Sequence, residues 1–492
     1  MLAPWVLEEM KDVDLQDERL NNRLTDVLSQ LGGHPTASIP AACGGYGETV
    51  AAYRFFDNDK VDFHNVLQPH IEATLRRVAD QPMAILVQDT TEIDLTRPDQ
   101  QVVGAGPLDE GVRRGAFLHP LHAFTPDGTP LGTVQATVWT RDDGPPPPAS
   151  ERSTRRKHTP IEEKESQRWI DTLREARAVA QRAPKTRLVC VADSEADIYE
   201  LLVEAQAEPR ELDWIVRACQ NRALQESAEK TRENAASADM AKSLREQVRL
   251  QRVLFTQTIK VRGRKAKIGC DVRGRRQPRE SRTAQVEVRA ACVTLRPPWR
   301  HDRKLPEVPV NVVLVQEIDA PANEPAVEWI LLTSLPIDEL EQVREVVQDY
   351  CVRWMIEVFF RVLKSGCRVE ARRFEHIDRL LPCLAVYLIV TWRTLYVCRL
   401  GREFPDMSCE AIFEPAEWKS VYQIVRREPP PKRPPTLSQM VRLVAQLGGY
   451  VNRKRKDPPG PQTVWLGLQR THDIALCWQT FGPEAPRDAI LV

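Results

Sequence analysis

No charge of one sign dominates this chain. Across 492 residues, 69 basic side chains stand against 69 acidic ones, so a polyanionic partner must be met by local patches, not by net charge. Paired cysteines are missing too. Eleven cysteines are scattered singly from Cys43 to Cys477, an odd total with no CxxC pair. That excludes a secreted disulfide framework or a zinc module and fits reduced thiols in a cytosol. The N-terminus, MLAPWVLEEMKDVD, is acidic and has no long apolar core, unlike a signal peptide. The most apolar run, Leu380 to Trp392, spans about 13 residues before Arg393, short of the roughly 20 that cross a bilayer. The expectation is a soluble cytoplasmic protein with no membrane partner.

What remains is ample for folding. A 42% hydrophobic content supports real cores, and the length suggests roughly two to four domains. Residues 5 to about 75 read as helical, with Leu15, Leu20, Leu24, Val27, Leu28 and Leu31 at helical spacing before Gly32-Gly33. A short helix, Thr49 to Phe56, carries Arg54. From Met83 the pattern changes: MAILVQ is a strand-length apolar run that stops at Asp89. Phe117 to Phe124 and Leu131 to Thr140 read as a hairpin around Pro126-Asp127-Gly128. After a Pro-rich break and a helical segment, Ile161 to Arg182, the run RLVCVA stops at Asp193. A helix and a strand, Trp214 to Cys219, come next, so the core is a mixed α/β sheet. Sheet enzymes tend to place chemistry at such strand ends, although an acid there is also an ordinary cap.

Residues 224 to about 308 interrupt that pattern with a basic, β-ribbon-like stretch: Lys260, Arg262, Arg264, Lys265, Lys267, Arg273, Arg275, Arg276, Arg279 and Arg282. Such a run is either a solvated face or a contact for phosphate. Sheet-like runs resume at Val310 to Val315 and Val327 to Thr333. After Glu370 the chain reads as helical, with PPPKRPP as a stiff linker, a helix at Leu437 to Leu447 and a basic patch at Asn452 to Lys456. Trp465 and Trp478 suit either internal packing or a second copy.

Tyr350 to Lys364 is the most telling stretch. As one helix at about 100° per residue, Tyr350, Arg353, Glu357, Arg361 and Lys364 share a wedge of roughly 60°. The opposite side is apolar. One carboxylate among three cations and a phenol suits a metal-binding acid working on a polyanion. Arg353–Glu357 and Glu357–Arg361 are equally the i,i+4 pairs of a solvated face. Asp89, Asp193 and Glu357 together make a three-carboxylate set, the donor type that two divalent metals share.

With the spacing Tyr350-x2-Arg353-x3-Glu357-x6-Lys364, the chain resembles the IS-four family of bacterial DDE transposases, transposon-five type. AAYRFFDND resembles the family's DNA-end-binding domain, VQDTTEIDL carries the first acid, VADSEADIYELL the second, and WILLTSLP leads to the Y-R-E-K helix. LVAQLGGYVNRKR resembles the dimerisation region. The resemblance implies a ribonuclease-H-like catalytic core with a β-rich insertion, flanked by all-helical N- and C-terminal domains. It divides the chain at 1–75 (DNA-end binding), 76–223 and 309–375 (core), 224–308 (insertion) and 376–492 (dimerisation).

It also implies that Asp89, Asp193 and Glu357 ligate two Mg2+ per site, with Mn2+ able to substitute. Water would nick the transposon end, and the freed 3′-hydroxyl would form a hairpin. The hairpin would reopen and the ends join target DNA. Tyr350, Arg353, Arg361 and Lys364 would grip the DNA backbone, and Trp329 would stack on a flipped base unless it is a core tryptophan. Arg217, Arg222 and Arg54 resemble further DNA contacts. The implied partners are double-stranded transposon ends, target DNA and a second copy in a nucleoid-associated homodimer. Val358 and Phe360 depart from the polar residues found beside the glutamate in the best-known member. The same residues leave open a structure-selective nuclease without strand transfer, and an inactive DNA-binding relative.

Overall fold

The computed structural model describes residues 3–109, 111–144, 150, 158–207, 211–225, 243–261, 280–322, 324, 326–451 and 458–483. Of the basic stretch, Arg262, Arg264, Lys265, Lys267, Arg273, Arg275, Arg276 and Arg279 lie outside these residues, as does the Asn452 to Lys456 patch.

Five helices come first: α1 (Pro4–Glu9), α2 (Glu18–Gly33), α3 (Ile39–Cys43), α4 (Tyr46–Phe56) and α5 (Phe63–Ala79). Local signals set their ends. The Asp17 carboxylate accepts the Arg19 N–H to cap α2, and Asp62 with Asn65 forms a capping box on α5.

Next comes a sheet, with β1 (Met83–Gln88), β2 (Thr91–Asp94), β3 (Gly106–Pro107), β4 (Arg114–Phe124) and β5 (Pro130–Trp139). Helix α6 (Gln167–Arg182) leads to β6 (Arg187–Ala192), then α7 (Tyr199–Glu204) to β7 (Asp213–Arg217). β1 pairs antiparallel with β4, which pairs with β5, while β6 and β7 continue parallel to β1 on its other side. The order β5-β4-β1-β6-β7 is that of a ribonuclease-H-like core.

The interrupting segment does not stand apart from this sheet. After α8 (Leu244–Arg249), strands β8 (Phe255–Val261), β9 (Arg282–Leu295), β10 (Val308–Glu317) and β11 (Glu328–Thr333) run antiparallel, and β11 docks on β7. Among the described residues, eleven strands thus form one sheet.

Along β1, Ile85 and Val87 enter one buried cluster, and Ala84 and Leu86 the other; Val189 and Val191 of β6 alternate with Leu188 and Cys190 in the same way. Burial on both faces is why these runs read as continuously apolar. The face of Leu86 and Leu188 is covered mainly by α6 and α7. The other is covered by the N-terminal helices, by α9 (Leu340–Val352) and α10 (Trp354–Arg361), and by the long α11 (Ile377–Glu403). By length and composition α11 could cross a bilayer, yet 83% of its apolar window is buried inside the protein. A third core joins the end of α11 to α12 (Pro415–Arg426), α13 (Leu437–Leu447) and α14 (Pro461–Phe481). Trp465, on α14, is buried in the first core against Gly366, and Trp478 is half-buried.

Candidate active site

Strand alternation decides where the two aspartates go. Asp89 follows Gln88 and Asp193 follows Ala192, and those two residues are register partners in the parallel β1–β6 pair. One step further, Asp89 and Asp193 stand side by side on strands about 4.8 Å apart. Odd-numbered positions on both strands face the cluster under α9 and α10, so both acids emerge on that side. The same step along the parallel β6–β7 pair, where Ala192 partners Val216, brings Arg217 next to Asp193. An acid, an acid and a guanidinium therefore line up across three adjacent strands.

Asp89 does not end its strand; it interrupts it. Gln88 partners Leu121 and Thr91 partners Leu118 of β4, one unbroken antiparallel register. The break at Asp89 and Thr90 falls opposite Pro120 and His119. Proline has no N–H to offer the ladder, and the Asp89 carboxylate accepts the Thr90 N–H at 2.8 Å. Asp193 is fixed by its neighbour's backbone, accepting the Glu195 N–H at 2.8 Å.

Glu357 arrives from a different geometry than one continuous helix predicts. Helix α9 ends at Val352 and α10 begins at Trp354, with Arg353 at the joint. There the Arg353 N–H reaches the Tyr350 carbonyl (3.1 Å) and the Ile356 N–H the Arg353 carbonyl (3.2 Å), the tighter i→i−3 pattern. After α10 a π-turn, Val362–Gly366, closes through the Cys367 N–H on the Val362 carbonyl at 2.7 Å. Each irregular turn rotates the residues C-terminal to it about the helix axis, and the expected wedge comes apart. Tyr350 turns into the core and packs edge-on against Trp329, ring centroids 5.3 Å apart. Arg361 is exposed, and Lys364 pairs with Glu370 at 3.8 Å. Val358 and Phe360 are buried, which accounts for apolar residues beside the glutamate.

Arg353 joins the two halves of the site. Its side chain is only 7% exposed, and it donates to Asp89 at 3.2 Å and to Glu357 at 2.6 Å. Burial and the charge of Asp193 push Asp89 up to about 7, with the Arg353 charge opposing them and Glu357 adding a smaller repulsion. Arg217 donates to Ser194 Oγ at 3.0 Å and lies 3.9 Å from Asp193.

The remaining expected contacts scatter. Trp329 is half-buried on β11, on the side facing α9. Arg222 is committed to Asp197: its Nε donates at 2.9 Å, and the pair is largely enclosed, with the arginine side chain 10% exposed. Arg54 is exposed on α4. A group that sequence reading missed stands behind Asp89. Thr90 Oγ1 accepts from Arg168 Nε at 3.1 Å and bonds His119 Nδ1 at 2.8 Å. Burial, then the Arg168 charge, pulls His119 down to about 3, so the ring is neutral. Thr90 follows Asp89 directly, but nothing local announces Arg168, which comes from α6.

The donor set suits a hard divalent cation: three carboxylates, two of them on adjacent strands, whose mutual repulsion such an ion would relieve. They do not form a ready-made cage. Among the described residues, no group of three or more His, Cys, Asp or Glu side chains is gathered closely enough to hold a metal ion. The guanidinium of Arg353 occupies the space between Asp89 and Glu357, and a metal would have to compete with it.

Comparison with known families covers most of the chain. A family model described as transposase DNA-binding matches residues 3–61, one described as transposase DDE domain matches 156–381, and one described as transposase Tn5 dimerisation domain matches 389–477. The second match contains Asp193 and Glu357, while Asp89 precedes it. Among solved structures, the chain is similar to a cryo-EM structure of the piggyBac transposase synaptic complex with hairpin DNA. The identity is 10% and the TM-score 0.37, over 79% of this chain and 67% of that one.

Proposed function

The chain belongs to the DDE transposases of the IS-four family, transposon-five type, and from that premise we propose that it cuts DNA at terminal inverted repeats through a hairpin and joins the freed ends to target DNA. What carries the reading is one juxtaposition. Asp89 and Asp193 lie side by side on adjacent strands, with Glu357 tied to Asp89 through Arg353.

Asp89, Asp193 and Glu357 would hold Mg2+, or Mn2+ in its place, two ions per site. When bound, the metals supply Lewis acidity to the attacking and leaving oxygens. The protein's own part is positioning and charge. Arg353 holds the acids in register before DNA arrives and is then available to a phosphate oxygen. Arg217 keeps a cation beside Asp193. Water attacks the phosphorus at the transposon end, leaving a 3′-hydroxyl and a 5′-phosphate. That hydroxyl attacks the opposite strand, displaces the flanking 3′-oxygen and closes the hairpin. A second water reopens it, and the regenerated 3′-hydroxyl attacks target DNA. Trp329, next to Tyr350 at the edge of the site, offers its ring to a base swung out during hairpin closure. Arg361, Lys364, Arg54 and Arg222 are further backbone contacts in this reading; Arg222 would first have to leave Asp197.

Residues 1–75 are assigned to end recognition, 76–223 and 309–375 to the core, 224–308 to the insertion, and 376–492 to contact with a second copy at the nucleoid. Incubating the purified chain and magnesium with DNA bearing its element's terminal repeats tests the reading. Hairpin-ended and joined products are expected. Nicking without either product would favour a structure-selective nuclease, and no metal-dependent cutting would leave a DNA-binding relative.

A further inference from the structure

A second feature lies beyond the acids, at the same end of β6 and β7. Three segments lead from the site to one open cleft of about 950 Å3. Asp197 follows Asp193 by four residues, Gln220 follows Arg217 by three, and Ser166 precedes Arg168 by two; all three line the cleft. Four residues of extended chain span at most about 14 Å, so the cleft opens within one or two nucleotides of the acids.

Its floor is fixed. The Asp197 carboxylate accepts the Cys219 and Gln220 N–H groups at 2.8 and 2.7 Å as well as Arg222. The Tyr199 hydroxyl lies 3.0 Å from the Leu295 carbonyl and 2.9 Å from that of Pro306, which locks α7 to the far wall. That wall is Arg296, Pro297, Pro298, Trp299 and Arg300.

Two properties indicate what enters. Trp299 is 70% exposed on this wall, a large apolar surface left in water. His158 and His301 stand beside it, with ring centroids 6.4 and 6.1 Å from the tryptophan and 5.0 Å from each other. The lining also carries Lys164, Arg222, Arg296 and Arg300 against only Asp197 and Glu200. Arg222 is matched by Asp197, Arg300 by Glu200 at 2.5 Å, and the Lys164 charge also acts on Glu200; with Arg296 added, four cations line the cleft against two carboxylates. An aromatic platform above a cationic floor is how proteins hold unpaired nucleotides without reading sequence. A duplex hides its base faces and would use only the charge.

We infer that this cleft binds a single-stranded stretch of DNA, with a base stacked on Trp299 and the backbone beside Arg296. The inference rests on the DNA-transfer reading, because it supplies a path for a strand separated next to the acids.

The test uses the full chain in chelator, so that nothing is cut. Fluorescence anisotropy of a labelled oligo-dT of roughly 12 nucleotides is compared with that of a duplex of equal length. Trp299→Ala should weaken oligo-dT binding about tenfold or more and duplex binding less than twofold. Trp299→Phe, which keeps a stacking face, should stay within about threefold of the parent. Arg296→Ala should flatten the salt dependence of oligo-dT binding. Trp299 is exposed enough for truncation to spare the fold, and an unchanged thermal midpoint checks this. Oligo-dT binding indifferent to Trp299, or an equal loss for both DNAs, would overturn the inference. If the chain fails to cut terminal repeats yet holds oligo-dT through Trp299, the transposase chemistry falls and the cleft stands. Cutting with indifferent oligo-dT binding gives the reverse.

Discussion

Asp193 and Asp197 lie four residues apart in one motif, and the fold treats them in opposite ways. Asp197 is enclosed and satisfied: two backbone N–H groups and a guanidinium meet its oxygens. Asp193 accepts one backbone N–H and keeps Arg217 at 3.9 Å, while Asp89 stands beside it on the next strand. Its side chain is 20% exposed. A carboxylate with every partner in place is an anchor. A carboxylate set against another acid, with a cation that could leave, is a site waiting for a ligand.

The largest expected effect falls on the unsatisfied acids. Asp89→Asn, Asp193→Asn and Glu357→Gln should each lower DNA cutting by at least several hundredfold, about 3.5 kcal/mol or more of barrier, while electrophoretic mobility shifts show DNA binding retained. Normal cutting by any one of them would remove that residue from the metal site and move it to the Asp197 class. The next effect is on folding. Asp197→Ala strands Arg222 in an enclosed setting, a break worth about 3 kcal/mol, to be read from the urea midpoint. Cutting per folded molecule should stay close to the parent's. If Asp197→Ala instead abolished cutting at full stability, the contrast between the two acids would be lost.

The acids at the strand ends were legible in the sequence, Asp197's role as an anchor was not, and the limits have physical causes. Continuous apolar runs ending at Asp89 and Asp193 identified two buried strands, and period-two alternation is enough to put both acids on one face once the strands are known to be neighbours. The hairpin around Asp127-Gly128 and the helix Leu437–Leu447 were readable because turn residues and caps act locally. The joint at Arg353 and the π-turn after Arg361 were not, since packing against β11 and α14 decides them; no glycine or proline stands at the joint, and Gly366 by itself reads as an ordinary helix end. Arg217 and Arg222 looked equivalent for the same reason. One is next in line to Asp193 across the sheet, and the other is captured by Asp197 through tertiary contact. The Pro120 opposite Asp89 was present throughout, but its meaning depends on register.

Trp329 sharpens the comparison from the side of the substrate. It is half-buried and edge-on to Tyr350, a position that suits both a core residue and a stacking platform. Trp329→Ala should slow hairpin closure about tenfold, roughly 1.4 kcal/mol, and leave the first nick within about threefold. Single-turnover assays on pre-nicked and intact ends separate the two steps. Equal slowing of both, together with a lowered unfolding midpoint, would return Trp329 to the core.

The smallest effect on cutting comes from an acid that is perturbed without belonging to the site. Asp349 on α9 is buried, and one of its oxygens has no hydrogen-bond partner among the described residues. Burial pushes it up to about 7; Arg187 pulls the other way, and Glu345 and Asp213 add repulsion. The folded value is raised above the ordinary one near 4, so the folded state holds this proton where the unfolded chain has released it. By linkage, stability falls as pH rises from about 4 to about 7 and is level beyond. Asp349→Asn removes that titration. The substituted protein should match the parent at pH 4 and exceed it by roughly 4 kcal/mol above pH 7, the linkage of a difference of about three pH units, with cutting unchanged. A constant offset at every pH would mean that Asp349 is already ionised in the fold. A loss of cutting would show that a raised acid on this helix serves the chemistry after all. The expected outcome, stability gained and activity kept, separates an acid raised mainly by burial in a packed helix from one raised beside Asp193 on the adjacent strand, and only the second marks the site.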